Sequence, residues 1–131
     1  MPIASQVELP QDWQALVTAS LSPHENVLAA LEVDLDSRLC FTKGLLVATT
    51  DRLLSWSLPD HVHPQDVKDL EGVKYELKTF SVNLLARLEH VDFAGVGTLQ
   101  LVNTSAQLAK WRFTLANNVR AVALQAAWNK H

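Results

Sequence analysis

The chain has 131 residues, 48% of them apolar and 19% charged, with a formal net charge of −3 and a single cysteine, Cys40. That balance suits one globular domain with its own core, and it excludes an internal disulfide and a basic surface that gathers nucleic acid. No apolar run reaches the roughly 18 to 20 residues of a membrane helix, and no basic segment leads into an apolar stretch as in a signal peptide, so a cytoplasmic setting is expected.

Residues 1–9 carry little pattern and read as an N-terminal arm, with residues 10–131 as one domain. Pro10 suits the first turn of a helix, because its missing N–H has no helical partner there. Trp13, Leu16, Val17, Ser20 and Leu21 then recur at helical spacing until Ser22-Pro23. A strand follows, with Val27, Ala29, Leu31, Val33 and Leu35 on one face and Leu28, Ala30, Glu32, Asp34 and Asp36 on the other. Asp36-Ser37 reads as a turn, Arg38 to Thr42 as a strand, Lys43-Gly44 as a second turn and Leu45 to Thr49 as a central strand. Thr50-Asp51 closes a tight hairpin into a strand from Arg52 to Leu58.

Pro59 to Gly72 break the rhythm with two prolines, two histidines and four acids, and read as a long loop. Val73, Tyr75, Leu77 and Thr79 form the dry face of the next strand, opposite Lys74, Glu76 and Lys78. Leu84 to Phe93 is strand-like, Gly95 and Gly97 supply a turn, and Thr98 to Val102 is a strand. Asn103 to Gln107 is a turn. In the strand from Leu108 to Leu115, Ala109, Trp111, Phe113 and Leu115 share one face. Asn117 or Asn118 caps a last helix, with Val119, Val122, Ala123 and Ala126 as its buried stripe, widened by Leu124 and Trp128. The helical pattern runs nearly to His131 without a stop signal, as in a piece of a longer protein or in a fraying natural end. The whole is α+β, mainly β: about seven strands, antiparallel because their connections are short, between a short N-terminal and a C-terminal helix.

Motifs for chemistry are sparse. Neither a G-x-x-x-x-G-K-[ST] loop nor a G-x-G-x-x-G turn is present, and Gly95-Val96-Gly97 lies between strands as a hairpin would. His61-Val62-His63, with Asp60 and Asp66, has the spacing of two metal ligands in an extended segment. A closed site needs further ligands in fixed geometry, and a solvated proline-rich loop is the plainer reading. Cys40 lies beside Phe41 in an apolar strand and reads as a packed residue rather than a nucleophile paired with His24 or His90. Asp34 and Asp36 read as an exposed strand end, not as paired catalytic carboxylates. Of Trp13, Trp56, Trp111 and Trp128, the one flanked by serines, Trp56, has the best case for an exposed contact. Trp56, His61 and His63 are therefore the candidate interaction surface.

Strands closed by one helix resemble a pleckstrin-homology-like (PH-like) barrel, in which two antiparallel sheets leave an open corner that the C-terminal helix plugs. The segment Gly44-Leu45-Leu46-Val47-Ala48-Thr49-Thr50-Asp51-Arg52-Leu53-Leu54 is similar to the Thr-Asp-Arg hairpin of bacterial members. With Glu25 to Asp36, Ala94 to Leu101 and Trp111-Arg112-Phe113-Thr114, it resembles the N-terminal extension of certain bacterial ABC exporters. The resemblance implies a cytoplasmic N-terminal domain of an ABC transporter ATP-binding/permease protein of the inner membrane. It implies no cofactor in this chain, ATP and Mg belonging to a downstream cassette. Its expected partners are its own transporter domains or another protein, with a homodimer formed through the parent transporter.

Three roles follow. The first is a non-catalytic accessory or regulatory domain acting by protein contact, or a stand-alone adaptor, through a sheet edge or the rim around Trp56. The second is lipid headgroup binding, ranked lower because Glu32, Asp34 and Asp36 outnumber Arg38 and Lys43 around the first hairpin and repel anions. The third is a metal or enzyme site on the His61/His63 loop.

Overall fold

A computed structural model describes residues 11–35, 41–58, 75–81 and 86–130. The elements run α1 (Gln11–Ser20), β1 (Val27–Leu35), β2 (Phe41–Thr49), β3 (Arg52–Ser57), β4 (Glu76–Ser81), β5 (Arg87–Phe93), β6 (Val96–Val102), β7 (Gln107–Thr114), a 3-10 turn (Leu115–Asn117) and α2 (Asn118–Asn129). All strand pairings are antiparallel, in the order β4-β3-β2-β1-β7-β6-β5. The two sheets expected from the sequence are thus one, joined where Leu35 of β1 pairs with Arg112 of β7. The sheet is not closed, because β4 and β5 are its edges.

Period-two alternation explains how this sheet packs. Ala29, Leu31 and Val33 of β1, Leu46 and Ala48 of β2 and Leu53 of β3 point inward. They meet Leu88, Leu99, Leu101, Trp111 and Phe113 of β5 to β7, and α2 closes this core with Ala121, Leu124 and Trp128. The intervening residues Ala30, Leu45, Val47, Leu54 and Trp56 form a second core under Trp13 and Val17 of α1. Strands β2 and β3 are therefore dry on both faces along most of their length, while β1 leaves Glu32 exposed. That is why β2 reads as a continuous apolar run rather than an alternation. α2 also fastens the β5 edge: Asn129 accepts from the Leu88 N–H and donates to its carbonyl, both at 2.9 Å.

Several elements depart from the sequence reading. Lys43-Gly44 is no turn; β2 runs straight through it, with Gly44 between Val33 and Ser57. Glycine fits there because a Cβ would lie 2.9 Å from the Trp56 carbonyl oxygen. The turn after β5 is Ala94-Gly95, both with positive φ (52° and 85°), as a two-residue hairpin requires. Gly97 instead lies within β6, under the ring of Phe113. On β4 the inward face is the opposite one, for Phe80 joins the inner core and Leu77 is 43% exposed. β7 ends at Thr114 and Leu115 turns outward. On α2 the expected stripe of Val119, Val122, Ala123 and Ala126 faces solvent, Val119 at 82% exposure, while Leu124 and Trp128 are buried as expected. Asn117 makes no side-chain cap; its amide donates to the Glu32 carbonyl at 3.1 Å. Residues 36–40, 59–74 and 82–85, with the turn and loop expected there, lie outside the described residues.

Gly97 is the sharpest packing constraint, since a Cβ would sit 2.2 Å from the fully buried Phe113 ring. Gly97→Ala is expected to lower stability by about 1–3 kcal/mol in urea unfolding. Adding Phe113→Leu should cost less in the Gly97→Ala background than in the wild type, because it relieves that clash.

Candidate functional site

The inward face of the sheet carries large side chains near α2 and small ones at its other end. There Gly44 of β2, Ser55 and Ser57 of β3 and Ala109 of β7 replace the leucines of the core. The shortfall in volume opens a groove of about 600 Å³ between β1 to β4 and the start of β7. Trp111 forms its floor: the indole Nε1 donates to Ser55 Oγ at 2.9 Å, and Phe80 meets the ring edge-on at 5.9 Å. Val33, Leu35, Leu58 and Leu108 add apolar wall. The charged lining is Glu76, Lys78, Lys110 and Arg112, three bases to one acid in a chain of net charge −3. Such a cleft attracts an acidic group while offering apolar surface beside it.

A second polar cluster lies at the opposite end of β2 and β3. The Glu25 side chain is 0% exposed and meets Arg52 in a two-pronged pair, Nε to Oε2 and Nη2 to Oε1, both at 2.9 Å. Thr49 Oγ1 donates to Oε2, and the Ser22 N–H donates to Oε1 at 3.1 Å. Arg52 Nη2 also reaches the Ser20 carbonyl at 2.6 Å, an orphan acceptor at the end of α1. The hydrogen bond from Arg52, helped by those from Thr49 and Ser22, outweighs burial and lowers the Glu25 pKa from 4.5 to about 2. The same hydrogen bond, to Glu25, raises that of Arg52. With every carboxylate oxygen taken, this cluster is a clamp holding α1 to the β2–β3 hairpin, not an acid–base site. The sequence reading saw Thr-Asp-Arg as a hairpin and missed what Arg52 does, because Glu25 is 27 residues away.

Of the interaction surface expected from the sequence, Trp56 alone lies among the described residues. Trp56 is 3% exposed and packs in the core beneath α1, so it is not an exposed contact, yet it lines the groove together with the serines that flank it. His61, His63, Cys40 and Asp36 lie outside the described residues. Asp34 is bound internally: Oδ1 accepts from the Thr114 N–H at 2.8 Å and Oδ2 from its hydroxyl at 2.6 Å, holding the exit of β7. Among the described residues no three His, Cys, Asp or Glu side chains cluster as metal ligands, and no helix is long and apolar enough to cross a membrane. Comparison of the chain with models of protein families, with curated proteins and with solved structures found no match.

A depressed carboxylate pKa stabilises the fold fully above the unfolded value and loses that contribution as pH falls through the folded one. The clamp should therefore fail between pH 4.5 and about 2. Arg52→Ala, which strands the buried carboxylate, should cost about 3 kcal/mol at neutral pH. Glu25→Gln should flatten the acid limb of a stability-against-pH curve measured by urea unfolding.

Proposed function

We propose that the chain is a non-catalytic PH-like binding module, an accessory domain of an ABC exporter, that seats an acidic, partly apolar segment of another protein in the groove over Trp111. The observation that carries the reading is the groove lining: Lys78, Lys110 and Arg112 beside the aromatic floor and apolar walls, in an otherwise acidic chain. Seven antiparallel strands followed by a helix over one end of the core support the PH-like label. The sequence resemblance supports the exporter setting, where ATP-driven transport belongs to other domains.

Protein is favoured over a lipid headgroup because Val33, Leu35, Leu58 and Leu108 match apolar side chains, which a headgroup lacks. Nuclear magnetic resonance of the Trp111 indole N–H, during titration with a glutamate-rich peptide containing leucine, tests the reading. The signal should shift, and Lys110→Glu should weaken binding about tenfold. A response to phosphatidylserine vesicles with none to the peptide would reverse the choice of ligand; silence to both would remove the groove as a site. Coding sequence downstream of His131 that lacks membrane spans and a G-x-x-x-x-G-K-[ST] motif would remove the exporter assignment.

A further inference from the structure

Among the described residues β3 is the one strand neighbour of β4. An open edge offers backbone N–H and C=O groups to another strand, and natural edges are commonly blunted against that. This one carries Glu76, Leu77 and Lys78 in succession, all exposed. Glu76 and Lys78 are two residues apart and project from one face, on the groove side. Neither makes an ion pair among the described residues.

We infer that a second copy of this chain pairs along β4, antiparallel, about a two-fold axis through Leu77. In that register Glu76 of each copy stands opposite Lys78 of the other, and the symmetry makes the contact twice. Other centres do not do this. A two-fold on Glu76 or on Lys78 sets like charges face to face, and one on Thr79 or Phe80 leaves both charges without an opposite partner. The exposed stripe of α2 has more apolar area but no such complementarity, since Arg120 is the charged residue of that helix. Edge pairing extends the sheet across the axis and sets two grooves on the same face, ready for a bivalent ligand. One strand's edge is a small contact, so the dimer is weak and concentration-dependent.

Light scattering on size-exclusion fractions, without ligand, tests this across a range of protein concentrations. The wild type should approach dimer mass as concentration rises. Glu76→Lys and Lys78→Glu should each raise the dissociation constant by about tenfold or more. The double swap Glu76→Lys/Lys78→Glu should restore dimerisation, and so should mixing the two single variants. Both side chains are exposed, and far-ultraviolet circular dichroism verifies that each variant folds. A wild type monomeric at every concentration, or single variants that dimerise as well as it does, would overturn the inference. Because no ligand is present, that result would leave the groove reading standing.

Discussion

Strands β2 and β3 must be dry on both faces, and the rest of the structure follows from that requirement. The inner face is covered by β5 to β7 and α2. The outer face depends on α1, a helix of ten residues, too short to hold its shape alone. Trp13 and Val17 supply its packing, and Trp13 also meets Tyr75 at 4.8 Å. The Glu25–Arg52 clamp then fixes where the chain leaves the helix. Burying an ion pair costs desolvation, which here is offset by further donors on the carboxylate and by the use of Arg52 to satisfy the last turn of α1. The clamp thus positions a layer as well as contributing stability.

The groove is the other consequence of the same strands. The inward face that carries leucines near α2 runs out into Gly44, Ser55 and Ser57 at its far end. Trp111 keeps that end from collapsing, because its indole is tied to Ser55 across the interior and cannot swing to fill the space. A cavity with a fixed aromatic floor is preorganised, so a ligand entering it need not first order the walls.

Much of this was legible in the sequence and some was not, for identifiable reasons. The alternation of β1 and β7 is clean, and the structure places those strands within a residue of the expected bounds, whereas β6 starts two residues early, at Val96. The Asn103 turn followed from residue chemistry, and its side chain accepts from the N–H groups of Ser105 and Ala106 as such turns do. The α2 stripe failed because the helix is apolar on more than one side: Val119, Val122, Ala123 and Ala126 are spaced as well as Ala121, Leu124 and Trp128. Period fixes a stripe, not which stripe meets the core; the large Trp128 and Leu124 decide it. Gly44 failed because glycine signals close approach of backbone as readily as a turn. The Trp56 exposure failed because polar flanks on a strand describe the opposite face, not the residue between them.

Charge gives the deepest example of what a linear reading loses. Counted along the chain, the acids near the first hairpin outweigh the bases and argue against an anionic headgroup. In the fold that count does not describe the surface. Of those acids Glu32 is exposed, but Asp34 is turned onto Thr114, and Glu25 just before them is sealed in its clamp. Asp34 and Glu25 are thus bound to local partners, whereas Lys78 and Lys110, far apart in sequence, converge on one groove. The sign of a binding site is set by which charges the fold leaves without a partner and where it gathers them. A weakly acidic protein is therefore able to present a basic cleft, and the choice among ligands rests on the apolar wall beside it rather than on net charge.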